Sequence, residues 1–366
     1  MIISSLHLKD FRNYENEVIE FKDGINILTG ANAQGKTNAG EAIFLLCTGY
    51  SPRANKDKHI IRHGKDEGEI SATARSNYGE VSVQINFFKN DQKAITVCGN
   101  RISKIADLLG NIHSVFFNPQ ELKLVQESPE DRRRFMNVSL SQISKSYFHA
   151  LQRYNKILLQ RNNLLKTGDY KLIKDTLPVW DEQLALYSAK IIFERIKFIE
   201  EIAPIAKDKH AYISGDKENL VIKLDCPYKG DEQTIKQKVF DDLKENVERD
   251  IRLGYTSIGP HRDDIKFILN DTDVRVFGSQ GQQRTVALAL KLAETQTFKN
   301  RFGEYPVLIL DDVLSELDKP RQRRLLSLVQ DIQTIFTATG LDRTVFRNYE
   351  YNRIIIENGR VKKSAK

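Results

Sequence analysis

The sequence predicts an α/β protein, a mixed sheet with flanking antiparallel strands whose two halves in the chain enclose a second, helical lobe. Three observations predict it. Short apolar or alternating runs fill the first 120 residues, a helical pattern takes over from Ser128, and mixed runs return after Gly254. The boundaries drawn on this basis are 1–120 with 255–366 for the first lobe and 121–254 for the second. At 366 residues the chain exceeds one ordinary domain and can bury a sizeable core.

The elements follow in order. INILTG (Ile25 to Gly30) is an apolar strand ending in Gly, and a helix through Glu41–Leu46 follows it. EISATA, EVSVQINFF and KAITVC alternate apolar and polar residues, as half-buried antiparallel strands do. Ser128-Pro129-Glu130 opens one long helix to about residue 167, with Ser as N-cap and Pro at the first helical position. A second helix is expected from about Trp180 to Lys207, after Pro178, and a third over 232–250. DIKFIL reads as a strand, Gly281–Lys299 as a helix, and VLIL (Val307–Leu310), TIFTAT and RIIIE as strands. There is no internal repeat, low-complexity segment or extended heptad run.

Composition narrows the class. The hydrophobic fraction of 40% is ordinary for a globular protein, and no apolar run approaches a membrane span. No secretory signal is visible at MIISSLHLKDF. Cys47, Cys98 and Cys226 are far apart and form no zinc spacing, so a reducing, cytoplasmic setting is expected. The net charge is +7, and between Asp131 and His210 fifteen Lys/Arg face nine Asp/Glu, a local excess of six. Lys145, Arg153, Lys156, Arg161 and Lys166 lead a stretch to Lys174 that holds Asp169 as its one acid before that point. Such a concentrated field suits a polyanion, and a solvated helix face explains it equally well.

The strongest local signal is Gly30-Ala31-Asn32-Ala33-Gln34-Gly35-Lys36-Thr37, which fits GxxxxGK[ST] between a strand and a helix. Glycines let the backbone turn its N–H groups onto phosphates, and the helix start adds its positive end. Lys36 is expected at the β- and γ-phosphates of ATP, and Thr37 supplies a hydroxyl to Mg²⁺. Val307–Leu310 then delivers Asp311 to the end of the sheet as a second Mg²⁺ partner, and Asp312 is the candidate for orienting the attacking water. About thirty residues upstream, Ser279-Gln280-Gly281-Gln282 opens a helix, an arrangement suited to an anion or to a simple N-cap.

The order of these segments, followed by Leu314-Ser315-Glu316-Leu317-Asp318, is similar to that of ABC ATPases. In that class the signature segment of one subunit closes on the γ-phosphate held by another, so Ser279, Gly281 and Gln282 are expected to touch nucleotide across a homodimer. Within the class the full length resembles the RecF family, on LKDFRNYENEVIEF, GINILTGANAQGKTNAGEAI, PEDRRRFMN, GYTSIGPHRDDI, FGSQGQQRT and LILDDVLSELD. The resemblance implies ATP-dependent dimerisation, binding of DNA at single-strand/double-strand junctions, and help in loading the recombinase with RecO and RecR partners. It also implies roles in gap repair, replication-fork maintenance and SOS induction.

Two departures stand out. Ala39-Gly40 occupy positions where the family usually has Leu-Leu, and a helical Gly costs about 1 kcal/mol relative to Ala, so a looser pocket or an altered sequence is expected. The strand after Asp311 ends Thr337-Ala338-Thr339, without the His that many ABC ATPases carry there. Asp312 is also one methylene shorter than the Glu usual in transporters, and both features predict slow, DNA-stimulated hydrolysis. Gln120 is either a Mg²⁺-contacting residue or a surface-loop glutamine. His261 and Arg262, in GPHRDD, read as a structural turn or ion-pair network. The rival readings are an ABC motor or clamp that does not act on DNA, and a P-loop kinase acting on a small molecule.

Overall fold

The computed structural model describes residues 1–54, 56–216 and 218–362, and the side chain of Gln120 lies outside the described residues. In chain order the first elements are β1 (Ile2–Phe11), β2 (Tyr14–Glu20), β3 (Ile25–Thr29), α1 (Lys36–Thr48), β4 (Glu67–Ser76), β5 (Gly79–Phe88), β6 (Ala94–Val97), β7 (Asn100–Ile102), α2 (Ile105–Leu108) and β8 (Ser114–Phe117). Then come α3 (Lys123–Gln126), α4 (Pro129–Ile143), α5 (Lys145–Leu165), α6 (Tyr170–Ser214), β9 (Leu220–Asp225), α7 (Glu232–Glu245) and α8 (Val247–Leu253). The chain closes with β10 (Asp264–Leu269), β11 (Thr272–Asp273), α9 (Val274–Phe277), α10 (Gln280–Phe302), β12 (Val307–Asp311), α11 (Lys319–Val329), β13 (Thr334–Ala338), β14 (Tyr351–Glu357) and β15 (Arg360–Lys362).

Three sheets result. The central one has the order β15-β14-β3-β13-β12-β8, parallel apart from the β14/β15 hairpin. Its strands β3, β8, β12 and β13 are buried at every position, which is why they read as continuous apolar runs rather than alternating ones. An antiparallel layer, β2-β1-β4-β5-β6-β7, carries the alternating strands. Helix α1 lies between the two, in one core with Leu6 and Ile70 on one side and Ile309 and Ile335 on the other. The opposite face of the central sheet packs on α10 and the helices of the second lobe.

Gly40 belongs to this sandwich. A Cβ at that position would stand 3.0 Å from Ile309 Cγ2 and 3.3 Å from Phe116 Cε2. The glycine therefore lets α1 press closely onto β12 and β8, and the packing there is tight.

The second lobe departs from its purely helical expectation. The segment 121–254 also contains β9, which pairs antiparallel with β10 from beyond residue 255. The long pattern after Ser128 divides into α4 and α5 at Ser144, whose extended backbone ends one helix while its Oγ accepts the Tyr147 N–H and caps the next. Helix α6 starts ten residues earlier than Trp180 and carries both Pro178 and Pro204 inside it. Asp169 caps its start, and Ile173 and Leu177 bury against Leu165, so packing of the first turns offsets the bond that Pro178 removes. At 45 residues α6 spans roughly 68 Å.

Substituting Gly40 by Leu should overpack the α1–sheet contact. The expected loss is about 1–3 kcal/mol of unfolding free energy, read from urea titration. An unchanged midpoint would show that Ile309 and Phe116 yield without cost.

Candidate nucleotide site and nucleic-acid surface

The loop from Gly30 to Thr37 leaves β3 and enters α1. Both of its glycines are required by contact. A Cβ at Gly30 would lie 2.1 Å from the Ile356 carbonyl oxygen, and Gly35 adopts φ +116 with Asn13 2.8 Å from any Cβ. The loop is clamped from two sides. Asn13 Nδ2 donates to Gln34 O at 2.8 Å, and Tyr14 OH donates to Gly35 O at 2.9 Å. From the β14/β15 turn, Gly359 N–H donates to Gln34 O at 3.0 Å and Asn358 N–H donates to Gln34 Oε1.

Lys36 is buried, and its ammonium donates to the carbonyls of Gly30 and Ala31, both at 2.7 Å. Burial lowers its pKa, while the carboxylates of Asp312 and Asp311 oppose that fall. Thr37 Oγ1 donates to Asp311 Oδ1 at 2.8 Å, and Thr337 Oγ1 donates to the same oxygen at 2.6 Å. Burial raises the Asp311 carboxyl pKa against those two hydrogen bonds. Asp312 follows with φ 52, the left-handed region that Asp tolerates, its N–H donating to Thr337 Oγ1 at 3.0 Å. The structure thus brings Lys36, Thr37, Asp311 and Asp312 into one cluster. The hydroxyl and carboxylate oxygens of Thr37 and Asp311 are the hard donors that a Mg²⁺ ion takes, and the glycine-lined loop is a cradle that side chains would fill.

Residues beyond the motif complete this corner. Arg53 Nη1 donates to Asn38 Oδ1 at 2.9 Å and lies 3.6 Å from Glu41, and its charge acts on Asp311. Glu41 is fully buried, held by Arg12 through two hydrogen bonds of 3.0 and 2.6 Å. Asn13, Tyr14, Arg12 and Arg53 were not singled out from the sequence. The one signal for the first three was the run LKDFRNY, which carries resemblance but no motif of known geometry.

Ser279 caps α10 in a reciprocal box. Its N–H donates to Gln282 Oε1 at 2.8 Å, the Gln282 N–H donates to Ser279 Oγ at 3.3 Å, and Gln282 Nε2 reaches Glu218 Oε1 at 2.8 Å. Ser279 is exposed. Among the described residues no hydrogen bond joins this segment to the loop at Gly30–Thr37. The side chain of Gln120 lies outside the described residues; its neighbour Glu121 pairs with buried Lys291 at 3.3 Å.

Lys145, Arg153, Lys156 and Lys166 are exposed. Arg161 is not, which corrects its assignment to a nucleic-acid surface. It is wholly buried, pairing with Asp181 at 2.6 Å and Asp250 at 2.7 Å and donating to Thr256 Oγ1 at 2.9 Å. His261 contacts Tyr154 OH and lies 3.0 Å from the Thr256 carbonyl oxygen, with Arg195–Asp263 at 2.7 Å beside it. That cluster is a structural network.

A family model for the RecF/RecN/SMC N-terminal domain matches residues 2–362. The DNA replication and repair protein RecF of Clostridium botulinum (strain Okra / Type B1) is 41% identical over 365 residues, covering 99% of this chain and 100% of the relative. The chain belongs to the RecF family. The RecF protein of Lachnoclostridium phytofermentans is 44% identical over 97% of both chains. A solved structure of the recombination mediator protein RecF with ATP, in the RecFOR pathway, superposes with a TM-score of 0.91 at 33% identity and covers 100% of this chain and 98% of that one. An Smc head bound to the C-winged helix domain of ScpA shares the fold alone, at 18% identity and a TM-score of 0.58. The fold is accordingly that of an ABC-type ATPase head of the SMC-related kind. Among the described residues no helix is long and apolar enough to cross a membrane.

Two outcomes test this geometry. Lys36→Met removes the ammonium from the loop and should abolish binding of a fluorescent ATP analogue while leaving the melting temperature of the free protein nearly unchanged. Arg161→Ala strands two buried carboxylates and should cost about 3–5 kcal/mol in urea unfolding; a variant as stable as the parent would return Arg161 to the surface.

Proposed function

We propose that the protein binds ATP with Mg²⁺ between two copies of itself and uses the closed dimer to hold DNA at single-strand/double-strand junctions. In this reading it serves repair of gaps, maintenance of replication forks and SOS induction, and aids recombinase loading with RecO- and RecR-type partners in the cytoplasm. The observation that carries it is the Thr37–Asp311–Thr337 array behind the glycine loop, in a chain related over its full length to RecF proteins, one of them solved with ATP.

Lys36 neutralises and positions the terminal phosphates, and Thr37 with Asp311 offers the oxygens for the cation. Bound there, the cation supplies charge neutralisation of the phosphate oxygens. Asp312 orients the attacking water as general base. Its short side chain and the absence of a histidine at Thr337–Thr339 favour slow hydrolysis that DNA stimulates. The second half-site comes from the partner copy, through Ser279, Gly281 and Gln282. Two large apolar side chains beside Ser279 support that reading, since Val276 is 61% and Phe277 74% exposed. Exposed apolar groups of that size next to an exposed anion-binding turn suit a surface that closes on a copy.

Lys145, Arg153, Lys156 and Lys166 would contact DNA phosphates, giving steep salt dependence and little sequence preference. A transporter motor or a small-molecule kinase explains neither this surface nor the full-length relation to RecF proteins.

Light scattering with saturating ATP and Mg²⁺ should give a dimer for the parent and a monomer for Ser279→Arg, with ATP affinity kept in the variant. A parent that stays monomeric sinks the clamp. Lys156→Glu with Lys166→Glu should weaken duplex binding and flatten its dependence on salt, by roughly one unit of logarithmic slope for each phosphate no longer neutralised. Equal affinity at moderate salt would remove these lysines from the DNA surface.

A further inference from the structure

A cleft of about 560 Å³ opens between the end of α1, helix α4, helix α5 and the turn at Pro260-His261. Its size falls within the range of small-ligand sites. The PEDRRRFMN segment supplies one wall, and the nucleotide reading above leaves the cleft without a role.

Its chemistry is specific. Tyr50, Phe148 and Leu151 give it a largely apolar lining. Gln152 and Asn155 on α5 are among its lining residues, both exposed, and neither side-chain amide is hydrogen-bonded to another described residue. An amide offers both a donor and an acceptor. The charges on the lining cancel: Arg133 and Arg134 stand against Glu130 and Asp131, and Arg195 is already paired with Asp263. His261 adds no charge, because burial pushes its pKa down to about 4 and it is neutral near pH 7. The cleft therefore suits a planar, uncharged group with apolar faces and a hydrogen-bonding edge. Outside it the field turns positive. Lys156 lies one helical turn beyond Gln152 on the same face of α5, and Lys145 is exposed at the start of that helix. Tyr50, 53% exposed, stands at the rim, with the Lys93 ammonium 5.3 Å from its ring centroid.

We infer that this cleft takes a single unpaired nucleobase of bound DNA, stacked against Tyr50 and read along its edge by Gln152 and Asn155, while the flanking phosphates stay outside on Lys145 and Lys156. An uncharged base enters a neutral cleft without a desolvation penalty for charge, whereas a phosphate would lose its hydration there for no net gain. Duplex bases are stacked and paired and cannot enter, so the cleft selects DNA with an unpaired nucleotide beside a helix. The inference rests on the proposed binding of DNA along α5 and adds the feature that distinguishes a junction from plain duplex. Because Tyr50 directly follows the cap of α1, the occupied cleft lies at the far end of the helix that begins at the phosphate loop.

The test uses full-length protein with ATP and a gapped duplex carrying 2-aminopurine at the first unpaired position. The parent should change the aminopurine emission on binding, and Tyr50→Phe should keep that change. Tyr50→Ala and the double variant Gln152→Ala/Asn155→Ala should lose it, and their affinity for gapped DNA should fall about tenfold, the scale of one base–aromatic stack. Duplex affinity and ATP-dependent dimerisation should stay at parental values. An unchanged aminopurine signal in the parent overturns the inference, as does an equal loss of affinity for gapped and duplex DNA in the variants. A parent that binds no DNA at all overturns the DNA reading as well, and so separates the two failures.

Discussion

The Asp311 carboxylate, hydrogen-bonded by Thr37 and Thr337 at the end of a fully buried strand, is the interaction on which the rest of this architecture depends. A carboxylate placed there must be compensated, and burial alone pushes it toward its protonated form. Two hydroxyl donors on one oxygen offset that cost, since hydrogen bonds to charged groups contribute about 1.5–3 kcal/mol each. One hydroxyl comes from the first turn of α1 and the other from the neighbouring strand β13. The carboxylate therefore fixes the start of the helix to the C-terminal ends of two interior strands, and the loop between β3 and α1 inherits that rigidity.

The same corner explains the surroundings of α1. Helix α1 is buried from Ala39 to Thr48 because it is enclosed between two sheets rather than lying on one. A helix enclosed in this way shows little amphipathic pattern, and its close approach to β12 and β8 needs a residue without a side chain, which Gly40 supplies. Glu41, on the next position, is buried in the other direction and needs the Arg12 fork and Ser51 to be tolerated. The glycine and the glutamate sit side by side because the helix has a sheet on each side and no solvent face to spare.

What the sequence made legible follows from distance along the chain. The phosphate loop, the Asp311 strand and the Ser279 cap are local patterns, each complete within a few residues, and the alternating strands announce their sheet by period alone. The strand β9 was hidden inside a helical stretch because its partner β10 lies some forty residues on. The start of α6 was misplaced because Pro178 reads as the opening of a helix, and tertiary packing around Ile173 carries the helix eight residues further back, to Tyr170. Arg161 looked like its exposed neighbours on a basic helix. Its acids sit 20 and 89 residues away, and nothing in the local run of charges reveals them. The clamp of Asn13 and Tyr14 on the loop was opaque for the same reason, since those residues sit in the β1–β2 turn and at the start of β2, in the other sheet.

The long helix α6 gives the second lobe its connection to the Ser279 segment. At its C-terminal end Arg324 of α11 donates to the Ile213 carbonyl at 3.0 Å, and the loop just beyond carries Glu218. Glu218 accepts from one end of the Gln282 amide while the other end of that amide accepts the Ser279 N–H. A single side chain thus serves both the cap of α10 and the contact with the lobe that bears Lys145, Lys156 and Lys166. Displacing Ser279 by any substantial distance breaks one of those two bonds unless the end of α6 moves with it. Helix α6 runs from Tyr170, beside the basic helix α5, to Ser214, beside the Ser279 segment. Its prolines, Pro178 and Pro204, each remove one backbone hydrogen bond near an end, the places where such a helix bends. The α10 cap and the basic face are therefore connected through one helix that carries a proline near each end.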